Sequence, residues 1–345
     1  MNCHGSGPLG GRDAHRLCVA PMMDWTDRHF RALLRLVAPE LVLYTEMVTA
    51  QALIHGDRQR FLAHDPSEHP VALQLGGAEP EALATAAAFG AAAGFDEINL
   101  NCGCPSDRVA SGSFGAALMA EPERVAACVA AMRSAVDVPV TVKCRLGILD
   151  GMSDEHRTMA SQEWLDRFVD TVADAGCSLF IIHARDAVLG GLSPKENREV
   201  PPLRYDPVRT LASRRPDLEI IINGGIDTPA RCLEAVAGVH GVMIGRAAVN
   251  DTLVLAALRD VLFPEAGHAS PSPVDIVRAW LPYVNEALDA GTPLPRLTRL
   301  LSGLFHGRPG ARQVRRHLSE NARRGGVEVI EDALAHFEQH PREAA

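Results

Sequence analysis

From Leu17 onward, short apolar runs alternate with longer stretches whose apolar residues recur at helical spacing. The runs are LCVAPMM (17–23), LVLYTEM (41–47), VALQLG (71–76), FDEINLN (95–101), VTVKCRL (140–146), LFIIHAR (179–185), LEIIING (218–224) and GVMIGR (241–246). Each is nearly continuously hydrophobic, as expected of parallel strands covered on both faces. Between them, segments such as EALATAAAFGAAAG and EWLDRFVDTVADAG keep apolar residues on one helix face and end in Gly. Eight strand–helix units in about 245 residues suit an α/β fold of the (β/α)8 TIM barrel type. A doubly wound sheet has the same element order, and strand count alone does not separate the two. The polar residues favour closure. Gln74, Asn101, Lys143, His183, Asn223 and Arg246 fall at or just past the carboxyl ends of different strands. In a barrel those ends converge on one mouth, where sites form. Singly, each has a plainer reading as a satisfied polar group of the core.

The alternation stops at LRDVLFPEAGHASPSP (258–273), whose Pro, Ser and Gly content reads as a linker. Beyond it, three or four amphipathic segments predict a small C-terminal helical domain over 273–340. The barrel is assigned to 17–265, and residues 1–16 to a flexible leader. Between Arg296 and Arg324 eight arginines stand against one acid, Glu320. The block contrasts with a net charge of −9 over 345 residues. It is either a solvated helix face or a local grip on a polyanion, and global charge does not choose between them.

Composition removes several classes. At 47% hydrophobic and 22% charged residues the chain is globular. It has no apolar run of the length that spans a bilayer and no secretory leader, so a cytoplasmic location without membrane association is expected, as a monomer. The eight cysteines form no C-x-x-C pair and are expected to be reduced thiols. None of the 14 histidines sits in a metalloprotease-like pair, and no metal is expected.

Candidate chemistry gathers at strand ends. NGGI (223–226) and IGRAA (244–248) close the last two strands, where barrels commonly bind phosphate through glycine backbone N–H groups. Asn223, Gly224, Gly225, Gly245 and Arg246 form that set, which suits a flavin mononucleotide or a sugar phosphate equally. APMMDW (20–25) places Pro21, Met22 and Met23 at the mouth, where a flat ring could lie. Gln74, Lys143 and His183 could hydrogen-bond a planar heterocycle, and a cation such as Lys143 suits the pyrimidine edge of a reduced flavin. Two other readings of Lys143 stay open: a buried salt bridge, with Glu46 as the acid, or a Schiff-base lysine in a flavin-free barrel. In NLNCGCPSDRVASGSFGAAL (99–118), Cys102 and Cys104 both qualify as general acids by type. A thiol with an ordinary pKa of about 8.5 stays protonated at neutral pH. Inert loop cysteines are the alternative.

The segments APMMDWTDRHFR, YTEMVTAQALIHG, INLNCGCPSDRV, VKCRLGI, GLSPKENREVPPL, INGGI, VMIGR and GLFHGRPGAR together resemble the tRNA-dihydrouridine synthases. Within them the similarity is to the bacterial subgroup acting on positions 20 and 20a of the D-loop. The resemblance runs from about Val19 to Glu320. It implies an oxidoreductase that uses FMN, re-reduced by NADPH (or NADH), in a barrel followed by a helical tRNA-binding domain. It implies Cys104 as the proton donor, being the cysteine directly before the proline. It further implies Asn101, Lys143, His183 and Arg198 near flavin or uracil, and a tRNA elbow gripped by arginines such as Arg312, Arg315 and Arg316. Four residues depart from the family pattern: Cys102 and Cys144, and Asp186 and Gly190, where relatives often carry lysines. The last two predict weaker RNA affinity along that loop.

Overall fold

The structure, a computed structural model, describes Leu9 and residues 14–105, 114–150, 159–267, 270–323 and 325–339. Most of the expected leader, Cys3, the 106–113 part of the cysteine loop and Arg324 lie outside the described residues. Eight strands make the barrel, in order β1 (Leu17–Val19), β2 (Val42–Tyr44), β3 (Val71–Gly76), β4 (Glu97–Cys102), β5 (Val140–Arg145), β6 (Leu179–His183), β7 (Glu219–Asn223) and β8 (Gly241–Ile244), and among the described residues three short strands lie outside this set. The eight pair in parallel, each with its successor, and β8 returns to β1. The sheet is closed, which gives a (β/α)8 TIM barrel and excludes the doubly wound alternative with its two free edges.

Several strands are shorter than their apolar runs. After β1 the Ala20 N–H still bonds the Ile244 carbonyl at 2.8 Å, but Met22 turns away. Its N–H donates to Thr26 Oγ1 at 2.9 Å, and its carbonyl accepts from Thr26 N–H at 3.0 Å. Chain that reads as strand is thereby diverted into the mouth.

The chain forms two compact units. One comprises Met1–Arg28, Leu41–Ile226 and Ala230–Gly245. In it, helix Pro80–Ala92 packs beside Pro122–Ala135, that helix beside Gln162–Asp174, and that one beside Asp206–Arg214. Helix Gln162–Asp174 shows how local signals act: the Ser161 hydroxyl caps the Trp164 N–H, and Leu165, Phe168, Val169 and Val172 are buried at helical spacing. The other unit comprises His29–Glu40, Asp227–Pro229 and Arg246–Ala345. Its core includes Trp280, Leu297, Leu301, Phe305 and Leu318. No helix among the described residues is long and apolar enough to cross a membrane.

The barrel interior is chemically divided. Cys18, Val42, Leu179, Ile181, Ile221 and Met243, from β1, β2, β6, β7 and β8, pack as an apolar cluster. Strands β3 to β5 instead point polar groups inward. Glu97, with no exposed surface, accepts from Tyr44 OH at 2.8 Å, Thr141 Oγ1 at 2.5 Å and His15 Nε2 at 2.6 Å. Burial alone would lower the pKa of His15. Attraction to and hydrogen bonding with Glu97, plus a pull from Glu219, outweigh it and hold the imidazole above its ordinary value.

This pair makes stability pH-dependent in a defined direction. With the folded pKa raised, the contribution of His15 is complete below about pH 6.5 and is lost as pH rises through the folded value. In denaturant melts, His15→Gln is expected to destabilise more at about pH 6 than at about pH 9. Equal losses at the two pH values would show that the contact never carries charge.

Candidate functional site

The carboxyl ends of β3 to β7 bring five expected residues to one mouth. Gln74 leaves β3, Asn101 β4, Lys143 β5, His183 β6 and Asn223 β7, with Asn101 opposite Lys143 and His183 opposite Asn223 in register. The Asn101 amide donates to Gln74 Oε1 at 2.9 Å. Lys143 Nζ donates to Asn223 Oδ1 at 3.3 Å, and the Asn223 amide is turned by the Met243 carbonyl, 2.7 Å away. The hydrogen bond of Lys143 therefore goes to an amide and not to Glu46, which removes the salt-bridge reading. Asn223 holds the lysine with the side chain that sequence reading aimed at a phosphate.

Electrostatics at this mouth are unusual. Burial, followed by repulsion from Arg145, lowers the Lys143 ammonium to about 8. His183 is pushed well below its ordinary value by burial and then by Arg145, Lys143, Arg185 and Arg198. It is thus a neutral imidazole at neutral pH, set among four cations. Such a rim favours a ligand that carries negative charge.

The turn after β4 is fixed at every backbone polar group of two residues. Asn101 Oδ1 accepts from the N–H of Gly103 at 3.1 Å and of Cys104 at 3.0 Å. Arg145 Nε donates to the Gly103 carbonyl at 3.0 Å, and the Ala116 N–H donates to the Cys104 carbonyl at 2.9 Å. Arg145 is buried, and its remaining bonds go to the carbonyls of Asp186 and Asn197. Sequence reading gave it no role. The signal was a second cation two residues after Lys143, on the same side of an extended strand.

The two candidate cysteines separate cleanly. Cys102 is the last residue of β4, fully buried opposite Cys144, and burial followed by the neighbouring Cys144, Cys128 and Cys177 raises its thiol well above the ordinary range. Cys144 is likewise pushed up, to about 12. Cys104, two residues later and out of the strand, is partly exposed and within electrostatic reach of Lys143 and Arg145. None of the seven described cysteines is in a disulfide, and no cluster among the described residues could hold a metal ion.

The glycines at the ends of β7 and β8 form a backbone cradle. Gly224 and Gly225 have φ of +121° and +70°, where a side chain is strained. A Cβ on Gly224 would lie 2.9 Å from the His183 ring, whereas Gly245 faces open space. Arg246 is exposed and precedes helix Ala247–Asn250 in the second unit. Beside Gly225 lies a cavity of about 670 Å³ lined by Arg185, Arg204, Arg209 and Arg231, with Asp206 and Glu234 as its acids. Pro21 and Met22 are partly buried, Met23 is 57% exposed, and Arg198 is exposed. Asp186 is buried and ion-paired to Arg204 at 2.6 Å. It anchors its loop from within and is not a surface position.

In the helical unit, Ala311, Val314 and Leu318 bury one face of helix Ala311–Asn321, and Arg312, Arg315 and Arg316 stand on the exposed face. Arg316 pairs with Glu320 at 2.8 Å. Arg296, Arg299, Arg308 and Arg323 are exposed as well.

A family model described as dihydrouridine synthase (Dus) matches residues 18–340. A protein of Xanthomonas campestris pv. campestris named tRNA-dihydrouridine(20/20a) synthase is 51% identical over 340 residues, covering 98% of each chain. Proteins of the same name from Vibrio vulnificus and Escherichia coli K12 are 50% and 51% identical, covering 94% and 92% of this chain and 97% and 90% of their own. With the family model and these relatives running nearly end to end, the chain belongs to the dihydrouridine synthase family.

Proposed function

We infer that the protein is a flavin-dependent tRNA-dihydrouridine synthase that reduces the C5–C6 bond of uridine at positions 20 and 20a of the D-loop. The observation that carries this reading is the Gly103–Cys104 turn. All four of its backbone polar groups are held, with two of them on Asn101, and its thiol is the partly exposed one of the pair, within electrostatic reach of Lys143.

The residues present fit FMN. The backbones of Gly224, Gly225 and Gly245 would hold the phosphate, since Gly245 faces open space and the positive φ of Gly224 and Gly225 turns backbone N–H groups toward an anion. Gln74, Lys143 and the neutral His183 would hydrogen-bond the heterocycle, and Pro21, Met22 and Met23 would flank it. When bound and reduced by NADPH, the flavin supplies hydride to uracil C6. The chain supplies the rest. Cys104 delivers its proton to C5, and Asn101 and Arg198 orient the base. The four cations about His183 favour the negative charge that develops on the ring. The base must leave its stack to reach the mouth, which costs a few kcal/mol and least for a loop nucleotide. Arg312, Arg315 and Arg316 on the helical unit would grip the tRNA backbone near the elbow. The homologues' names and the site chemistry support an enzyme that works in the cytoplasm, where tRNA is modified.

Mass spectrometry of digests from tRNA treated with the purified protein and NADPH tests the reading. Dihydrouridine at 20 or 20a is expected from the wild type. Cys104→Ala should slow its formation by about 100-fold or more, the usual scale for a lost general acid, while flavin stays bound. Cys102→Ala should change the rate by less than about threefold, since the thiol is sequestered. Reversal of the two effects would overturn the assignment.

Lys143→Met should lower the two-electron potential of the bound flavin by roughly 30 mV or more, a tenfold loss of preference for the reduced form. In the wild type that advantage should fade as pH rises past about 8, where the ammonium deprotonates. A potential unaltered by the substitution would place the lysine elsewhere. Neutralising Arg312, Arg315 and Arg316 to Gln together should reduce the salt dependence of tRNA binding by roughly two log–log units, at about 0.7–0.9 per phosphate contact. An unchanged slope would remove this helix from the interface.

A further inference from the structure

Below the mouth, the polar side chains of β3 to β5 form one head-to-tail series. The Cys104 N–H donates to Asn101 Oδ1 at 3.0 Å, and the Asn101 amide to Gln74 Oε1 at 2.9 Å. The Gln74 amide donates to Asn99 Oδ1 at 2.7 Å, and the Asn99 amide to Thr141 Oγ1 at 2.8 Å. The Thr141 hydroxyl donates to Glu97 Oε1 at 2.5 Å. Every link runs the same way, and all of these side chains are buried.

The direction follows from the far end. Glu97 receives three donors on two oxygens, so it acts as an acceptor and Thr141 must give it a proton. Thr141 is then left to accept, which turns the Asn99 amide group toward it and the Asn99 oxygen toward Gln74. The same logic turns Gln74 and then Asn101. A carboxamide is nearly symmetric in shape, so packing alone would accept either orientation, and only hydrogen bonding selects one. If Asn101 were reversed, its NH₂ would face the N–H groups of Gly103 and Cys104, donor against donor.

We propose that Glu97, acting through Thr141 and Asn99, sets the orientation of the Gln74 and Asn101 carboxamides and so positions the Cys104 turn. Glu97, Thr141 and Asn99 are positioning residues, and none reaches the mouth. This deepens the reading of Cys104 as proton donor and rests on it for its catalytic consequence. The structural consequence stands apart: the N–H groups of Gly103 and Cys104 are protected because a distant carboxylate orders the series.

Amide hydrogen exchange on the full-length protein, resolved for the peptide containing Gly103 and Cys104, tests it. In the wild type these two amides should exchange at least tenfold more slowly than unprotected ones, although the turn is partly exposed. Thr141→Val, which keeps the shape and cuts the series, should speed their exchange about tenfold or more, with little change in the amides of β6 and β7. Asn99→Leu cuts the next link and should do the same. Thr141→Ser restores the hydroxyl and should return exchange to within about threefold of the wild type. In single turnover of the prereduced holoenzyme with tRNA, Thr141→Val should lower the maximal rate about tenfold while the tRNA concentration at half-maximum moves less than twofold. Exchange at Gly103 and Cys104 within twofold of the wild type, in either cut variant that folds, overturns the proposal. So does absence of protection in the wild type itself, which needs no variant. An active Cys104→Ala would instead overturn the acid assignment and leave the exchange result standing.

Discussion

A carboxylate with no contact with water stands inside the barrel, and much of the architecture is arranged to keep it satisfied. Breaking a buried charged pair by removing one partner costs about 3–5 kcal/mol, a large share of a net stability of roughly 5–15 kcal/mol. Glu97 therefore requires His15 before β1, Tyr44 from β2 and Thr141 from β5 together. Those partners tie the entrance of the chain to the second, fourth and fifth barrel staves. They also explain the divided interior. Once Thr141 faces Glu97, the next inward positions, Asn99, Gln74 and Asn101, need polar neighbours, and an apolar filling is left to the opposite staves.

At the wide end the constraint is like charge. Lys143, Arg145, Arg185 and Arg198 lie about an imidazole that stays neutral through burial first and their charge second. Two of these cations, both at the end of β5, have fixed occupations. Arg145 spends its guanidinium on three backbone carbonyls, and Lys143 rests on Asn223. Although burial and neighbouring charge lower Arg145 to about 10, it remains a cation at neutral pH. The site is preorganised for charge that arrives or develops there.

The cysteines show how sharply strand parity sorts chemistry. In β4, Glu97, Asn99 and Asn101 face inward, and Ile98, Leu100 and Cys102 lie on the other side. Two thiols separated by one glycine thus have opposite fates. Cys102 is sealed among Cys144, Cys128 and Cys177, and Cys104 emerges where the chain leaves the strand. Side chains of the two residue positions look equivalent in composition. The end of the strand at Cys102 makes them different.

Sequence alone determined a parallel α/β fold with helices covering the strands, because eight nearly continuous apolar runs at regular spacing call for cover on both faces, whereas closure into a barrel was decided by the pairing of β8 with β1. It also determined where the mouth residues come from, since polar groups at strand ends have nowhere else to converge. Glu97 and Asn99 alternate with apolar residues in FDEINLN but drew no notice beside Asn101 in a run read as nearly continuously hydrophobic. Their meaning was not legible, because the partners Gln74 and Thr141 lie 25 and 42 residues from Asn99 in the chain. Only the closed register brings them within hydrogen-bonding distance. The same holds for Lys143, whose companion two strands along the sheet is Asn223, 80 residues away, and not the nearer-typed Glu46. Tertiary structure decided these pairings because a hydrogen bond needs about 3 Å and a direction, and a linear pattern specifies neither.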